Sequence, residues 1–497
     1  MIRKKVLLIL ALTTAASIAF SVTACVASNN QTTDSSDTTA ATTISVVTGE
    51  DITNSNDGEH AIEVSGDTAE YSNIKVTKTG DSASGDEADF YGENSAIFAT
   101  DGATLTLTDI VVDTNGTHAN AVFSYGSGTT VNISNSKITT SGNCSGGLMT
   151  TGGGTMNASN LDIHTTGNSS AAIRSDRGGG TVNVDGGTYV TDGKGSPAIY
   201  STADITVSNA ALESTQSEGV VVEGKNSVTL NNVDLTANNT THNSDKSITY
   251  NAVMIYQSMS GDASVGLAKF TMTGGSITNK NGDVFFVNNT ATTITLENVE
   301  IVNQDADGVF LRAAAAGWGS EGSNGGKVNL YLKNQTLTGD IVVDKVSALN
   351  MYMSSGTTYT GAVNADNAGE VYVEIEKGSK WVLTGDSYIS SLTCDADAID
   401  LNGHKLYVDG KEYTASTAST GTALERATES SSSGKPDGMP GEPPSGGKPD
   451  GEKPSGDFPG DPPSGEKPSG NPPGDPPSGG PGGNGGEPPA KPSETTT

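Results

Sequence analysis

A short phrase recurs along the chain: a small residue, an aliphatic residue and then a bulky one. Nine copies begin at residues 96, 121, 147, 172, 198, 219, 252, 283 and 308. The steps between these starting points are 25, 26, 25, 26, 21, 33, 31 and 25 residues. A repeat of this length that tolerates insertions is typical of a solenoid, in which rungs stack on one another and loops absorb the extra residues.

A second phrase follows the first by about nine residues in each repeat. Apolar and polar residues alternate there, as in 104–109 and 130–135, which is the pattern of a strand with one buried face. Each run closes at Asn, Asp or Gly, the residues that best tolerate a left-handed backbone at a tight turn. A third short apolar run then follows, at Ile138 or Ile163 for example. Three short strands per rung predict an all-β parallel β-helix of about twelve rungs.

This organisation resembles the right-handed parallel β-helix of pectin-lyase-like proteins and bacterial adhesins, over roughly residues 44–413. The resemblance lies in the rung phrase and the turn asparagine, which are specific for the fold. Neither is specific for an activity, because that fold hosts lyases, hydrolases, adhesins and passive stalks. The resemblance implies a right-handed coil. After residue 340 the phrase fades, and we expect residues 341–413 to form terminal rungs that cap the core.

The first 24 residues have the pattern of a secretory signal peptide. Three basic residues precede an apolar run from Val6 to Phe20, which is too short for a stable membrane anchor. The ending Val22-Thr23-Ala24-Cys25 resembles a bacterial lipobox and implies that Cys25 becomes the lipid-modified first residue of a surface protein. Its partner would be the membrane, through the lipid. An ordinary signal peptide cleaved elsewhere is the alternative. Residues 25–43, rich in Ser and Thr, would form a flexible tether.

Composition limits the partners of the chain. Residues 414–497 are rich in Pro, Gly and Ser, so we expect a disordered tail. The net charge of −31 disfavours nucleic acid, and acidic polysaccharides unless cations bridge them. It also keeps the rod soluble, and we expect a monomer. Asp86, Glu87 and Asp89 offer a possible Ca²⁺ site, but the spacing of a calcium loop is absent and a solvated acidic loop is favoured. No cofactor is therefore predicted.

Catalysis is a weaker hypothesis than binding. The catalytic arginine motif of the lyases and the paired-Asp and Gly-His-Gly motifs of the hydrolases are not recognisable here. A hydrolase would need two carboxylates about 5–9 Å apart. The nearest candidates are Asp283 and Asp307, which the repeat places near one corner of neighbouring rungs. No metal-ligand pattern is present.

The binding hypothesis rests on the bulky third residue of each phrase. The middle residue is uniformly aliphatic and should face inward, so the third residue should face outward and stack into an apolar and aromatic ridge. A continuous exposed apolar surface usually marks a binding site. Coverage of the ridge by the insertion at 80–94, or by that at 311–326 with Trp318, is the alternative. The predicted ligand-binding residues are Phe98, Phe123, Met149, Arg174, Tyr200, Phe285 and Phe310.

A polar column is expected on the outer face of another strand. It could bind glycan hydroxyls or ice, although β-propensity and solubility also explain it. The sequence thus predicts a lipid-anchored, extracytoplasmic bacterial surface protein that acts as an adhesin or binds a glycan or cell-surface ligand. A polysaccharide lyase or hydrolase is the second hypothesis and a passive stalk the third. The column comprises Thr106, Asn132, Asn157, Asn183, Thr206, Thr229, Thr271 and Thr295.

Overall fold

The computed structural model describes residues 46, 48–242 and 244–414. Within them the chain is a parallel β-helix, as predicted. Equivalent strands of successive rungs pair in parallel, for example Val122 with Leu148 and Leu148 with Ile173. Two large sheets of 11 and 18 strands run along the solenoid. We name them the front sheet and the back sheet. The predictions for residues 1–43, including Cys25, and for the tail beyond residue 414 concern parts of the chain outside the described residues.

The strands have the following bounds. The front sheet contains Ile62–Ser65, Ile97–Thr100, Val122–Tyr125, Leu148–Thr151, Ile173–Ser175, Ile199–Ser201, Val220–Glu223, Asn251–Tyr256, Asp283–Asn288, Leu311–Ala313 and Ile341–Val343. The back sheet contains Glu50–Asn54, Thr68–Ser72, Ile74–Lys78, Thr104–Thr108, Val111–Thr114, Thr130–Thr140, Gly154–Thr165, Gly180–Thr191, Asp204–Ser208, Ala211–Ser214, Ser227–Ala237, Leu267–Asn279, Thr290–Glu297, Glu300–Asn303, Gly326–Lys333, Ala348–Ser354, Glu370–Ile375 and Ser391–Thr393.

Two small sheets and one helix complete the described part of the chain. One small sheet contains Thr336–Thr338, Thr358–Thr360, Lys380–Val382 and Ile399–Asp400. The other contains Ser387–Ile389, Leu406–Val408 and Lys411–Glu412, and its last two strands pair antiparallel. This reversal turns the final edge back on itself, which protects it from pairing with another chain. The helix, α1, spans Gly85–Tyr91 in the 80–94 insertion.

Asparagine at the predicted turn bends the back sheet. Asn135 and Asn160 adopt φ values of 48° and 50°, and Gly186 takes the same place in the next rung with φ 76°. These left-handed residues lie within the continuous strands Thr130–Thr140, Gly154–Thr165 and Gly180–Thr191. Each long strand therefore supplies the second and the third run of its rung, joined by one bend. The prediction of left-handed turn residues is confirmed.

The core is a stack of aliphatic columns between the sheets. The middle residues of the first seven phrases, Ile97 to Val253, pair rung by rung and are fully buried. The first residue of each phrase packs at the corner where the chain enters the front sheet, and Ala96, Ala121 and Ala172 belong to the same core. The corner is narrow, so small residues fill it in most rungs.

The predicted orientation of two phenylalanines was wrong. Val253 pairs with Phe285, and Phe285 pairs with Leu311, so the eighth phrase is displaced by one residue and the ninth by two from the sequence pattern. A shift of one residue in a strand moves every side chain to the other face. Phe285 accordingly lies in the core, and Phe310 joins it from the corner position of the next rung, with the two rings 5.6 Å apart. The pattern failed because Val284 and Phe310 take the corner positions that small residues fill in earlier rungs.

Candidate functional site

The N-terminal part of the predicted ridge is covered. Phe98, Phe123 and Met149 stack in register on the outer face of the front sheet, as expected. All three are nevertheless buried and form one cluster with the partly buried Tyr125. The 80–94 insertion lies over them so closely that a Cβ at Gly92 would sit 2.3 Å from the Phe98 ring. The first of the two predicted covers is therefore present.

The C-terminal part of the ridge is covered by the second insertion. Val221, Met254 and Phe286 continue the outward row and are buried together with Trp318. The Trp318 ring lies 5.1 Å from the ring of Tyr256 in an edge arrangement. Phe286 thus takes the outward place that had been predicted for Phe285. Binding of a ligand by the ridge residues stays a prediction.

Arg174 and Tyr200 lie between the two covered clusters along the outward row. The contacts of Arg174 are ion pairs with carboxylates. The side chain of Arg174 is 13% exposed and donates to Asp176 at 2.8 Å and to Asp89 of α1 at 3.3 Å. Asp89 also contacts His118 Nδ1 at 3.3 Å. This network fixes α1 to the sheet beneath it. The attraction of Arg174, and the contact with His118, hold the pKa of Asp89 below its usual value despite burial.

Asp176 is a buried carboxylate that the sequence reasoning missed. Burial raises its pKa to about 6, against the attraction of Arg174 and with added repulsion from Asp89 and Asp262. The sequence could have indicated the position of Asp176, because Asp176 follows Arg174 by two residues and therefore lies on the same side of the sheet. The repeated phrase ends at its third residue, Arg174 in this rung, and therefore does not contain Asp176.

Glu223 is a second buried carboxylate on the same face. Its Oε2 accepts hydrogen bonds from the hydroxyls of Tyr200 and Tyr256, the latter at 3.1 Å. Burial raises the pKa of Glu223, although hydrogen bonds from Ser258 and both tyrosines favour its charged form. By register, Asp176 and Glu223 stand two rungs apart, roughly 10 Å along the sheet.

The two carboxylates considered as catalytic candidates, Asp283 and Asp307, lie in different surroundings, and a catalytic role for them stays a prediction. Asp283 is buried and accepts from Arg312 Nε at 2.6 Å, Thr249 Oγ1 at 3.0 Å and the Val309 amide at 3.0 Å. Asp307 lies on an exposed turn next to Asp305. The contacts of Asp283 tie one rung to the next, which is a structural task.

The three acidic residues considered for Ca²⁺ diverge. Asp86 and Glu87 are exposed in the first turn of α1, where negative charge is favourable to the helix. Asp89 turns toward Arg174 and His118 instead. In the described part of the chain, no group of three or more His, Cys, Asp or Glu side chains is placed to hold a metal ion.

A shallow groove of about 420 Å³ lies on the outer face of the back sheet. The first five members of the polar column line it, flanked by a second row of hydroxyls. Asn183 and Asp185 are exposed there, and Asp185 is the one charged residue of the lining. The full lining is Thr106, Asn132, Ile133, Ser134, Asn157, Ala158, Ser159, Asn183, Val184, Asp185, Thr206 and Ser208.

Amides in the groove are ordered by one another. Asn157 Nδ2 donates to Asn132 Oδ1 at 2.9 Å, and Asn183 Nδ2 donates to Asn157 Oδ1 at 3.0 Å. An amide has two N–H donors and an oxygen with two lone pairs, so each stacked Asn retains hydrogen-bonding capacity toward solvent. The ladder therefore presents fixed donors and acceptors at a spacing of about 4.8 Å.

Comparisons with family models, with curated proteins and with solved structures gave no match. The described residues include no helix long and apolar enough to cross a membrane. The class of the protein therefore rests on its fold, a parallel β-helix with one polar outer face and one face covered by insertions.

Proposed function

We propose that this protein is a lipid-anchored bacterial surface module that binds a glycan through the groove of the back sheet. The observation that carries the proposal is the amide ladder Asn132–Asn157–Asn183, which is preorganised in a concave surface. Sugars are recognised by groups that donate and accept hydrogen bonds from fixed positions, and ordering these groups before binding lowers the entropic cost. The lipobox-like ending at Cys25 supports placement at the cell surface.

The charge of the groove favours a neutral glycan. Asp185 would repel a uronate, and the lining contains no lysine or arginine that could attract one. The five rungs of the groove span about 19 Å, which is long enough for several sugar units in an extended chain. A polymer that runs along the solenoid axis would therefore meet an equivalent pair of groups on each rung.

The test is a glycan screen of the full chain, in which bound ligand and released products are measured together. We expect saturable binding without new reducing ends or unsaturated products. The variant Asn132→Ala/Asn157→Ala/Asn183→Ala should bind at least tenfold more weakly, because each lost hydrogen bond is worth about 0.5–1.5 kcal/mol.

A matched control uses the same column outside the groove. Thr229→Ala/Thr271→Ala/Thr295→Ala changes three outward residues of equivalent rungs and should retain the affinity of the wild type. Equal loss in both triple variants would show that the groove is not the site. If the full chain bound no glycan at all, the proposal would fail and a passive stalk would be favoured.

A glycan-cleaving enzyme is a second candidate because Asp176 and Glu223 both have raised pKa values. Their backbones stand roughly 10 Å apart along the sheet, and the two carboxyl groups of an inverting glycosidase lie about 6.5–9.5 Å apart. A carboxyl group whose pKa is raised toward the working pH can act as a general acid. Product release in the same screen that is abolished by Asp176→Asn and by Glu223→Gln, but not by Asp283→Asn, would favour this candidate.

A further inference from the structure

The α1 insertion and a further segment, the loop 257–266, meet at one residue, Arg177. Its guanidinium lies 3.9 Å from the centroid of the Phe90 ring in α1. The same group donates to Asp262 Oδ1 at 2.8 and 3.1 Å. Asp262 belongs to the loop 257–266, which follows the front-sheet strand Asn251–Tyr256. Arg177 thus joins the α1 insertion to this loop.

The α1 helix is attached through polar contacts, and the rest of the insertion packs on the apolar side chains of Phe98 and Phe123. Of the seven residues of α1, Ala88 alone is fully buried, and Tyr91 is 37% exposed. Asp89 pairs with Arg174, and Thr151 Oγ1 donates to the Phe90 carbonyl at 2.7 Å. Opening of the insertion would expose Phe98, Phe123 and Met149, so it becomes favourable only when a ligand covers these side chains again.

The surface beneath the covers has the composition of a carbohydrate site. Phe98, Phe123 and Tyr125 supply stacked aromatic rings, with Phe98 and Phe123 5.9 Å apart. Arg174 and Tyr200 follow them on the next rungs and supply charged and hydroxyl groups. Aromatic faces combined with a few fixed polar groups are the usual components of a pocket that binds a small ring.

We propose that the outer face of the front sheet is a second carbohydrate-binding surface, closed by the α1 insertion and the 257–266 loop and clasped at Arg177. The ligand class rests on the proposed function, whereas the clasp does not. Release of Arg177 frees both covers at once, because the cation–π contact and the ion pair share one guanidinium. The Arg177 side chain is 35% exposed, so salt weakens its ion pair and favours opening.

Hydrogen exchange of the full chain tests the clasp. We expect Arg177→Ala to speed exchange at least tenfold in residues 85–92 and also in 258–264, without change in the core strands. Lys280→Ala is the matched control, because it removes a half-exposed ion pair with Glu213 elsewhere on the solenoid. Unchanged exchange in either cover after Arg177→Ala would overturn the clasp.

Binding is then measured in the triple-alanine groove variant, so that the groove makes no contribution, with cellohexaose as the probe. Adding Arg177→Ala should raise cellohexaose affinity at least fivefold, and a further Phe123→Ser should remove this gain. Tyr125→Ala, at a partly exposed position, replaces Phe123→Ser if that variant does not fold. No gain after Arg177→Ala, or a gain that survives loss of the rings, would refute the second surface. The groove and its proposed function would stand in either case.

Discussion

At the scale of single residues, the corners of the solenoid are the most constrained positions. Gly116, Gly142, Gly167 and Gly193 stack in successive rungs, and a Cβ on any of them would lie 1.8–2.0 Å from the carbonyl oxygen of the glycine one rung before. A serine hydroxyl also binds this carbonyl, for example Ser145 to Gly116 at 2.9 Å. Rungs can stack at their normal spacing only because these positions carry no side chain.

Replacement of a corner glycine should therefore be severe. We expect Gly142→Ala to lower the free energy of unfolding by about 3 kcal/mol, because the added methyl group forces neighbouring rungs apart. Gly49→Ala is the control, since its Cβ would meet its nearest atom at 3.8 Å. Urea unfolding measures both variants. Similar stability of the two proteins would contradict the stacked-corner interpretation.

The raised pKa of Asp176 predicts a pH effect on stability. Because its pKa in the folded chain, about 6, exceeds that of an unfolded aspartate, about 3.9, folding binds a proton between these values. Its stabilising contribution is fully present below about pH 4 and is lost as the pH rises through about 6. The wild type should thus lose more stability than Asp176→Asn between pH 4.5 and 7 in urea titrations. Parallel curves for the two proteins would exclude this effect.

At the scale of elements, strand register decides which face a side chain occupies. The strand Asp283–Asn288 pairs one residue later than the phrase indicated, so Phe285 is a core residue and Phe286 is the outward one. The difference arises at the preceding corner, where Val284 replaces the usual small residue. The core at this level also contains larger rings, and those of Phe270 and Phe285 lie 5.4 Å apart.

This register predicts a distinct cost for one substitution. Phe285→Ala should lower the free energy of unfolding by about 3–5 kcal/mol, because it leaves a cavity among Phe270, Phe310 and their aliphatic neighbours. Thr293→Ala changes an outward residue of the back sheet and should cost well under 1 kcal/mol. The two values come from the same denaturant titration. A small cost for Phe285→Ala would mean that its ring is solvent-facing.

At the scale of the whole molecule, the two large sheets of the solenoid differ in their outer faces. The front sheet carries the insertions, and the back sheet presents the polar groove. Both surfaces are repeated from rung to rung, which suits contact with a polymer more than with a single compact ligand.

The proposed placement of the protein at the membrane depends on Cys25, which lies outside the described part of the chain. We expect Cys25→Ser to abolish incorporation of labelled fatty acid and to move the protein from the membrane fraction to the soluble fraction of the expressing bacterium. Several acyl chains bind a membrane far more strongly than the remaining polar tether does. Cys144→Ser is the control and should stay in the membrane fraction. Unaltered labelling of Cys25→Ser would refute lipidation at this cysteine.

The sequence by itself determined the repeat, the strand alternation and the left-handed turns, because these depend on local periodicity and on the backbone preferences of Asn and Gly. It also identified the polar column that lines the groove and the two insertions able to cover the ridge. Tertiary structure alone decided that both insertions fold over the front sheet and that Phe285 and Phe310 face inward. It also brought Asp89, Asp262 and Arg177 together from distant parts of the chain. Such contacts depend on packing between rungs and between loops. The residue pattern within one repeat carries no information about that packing.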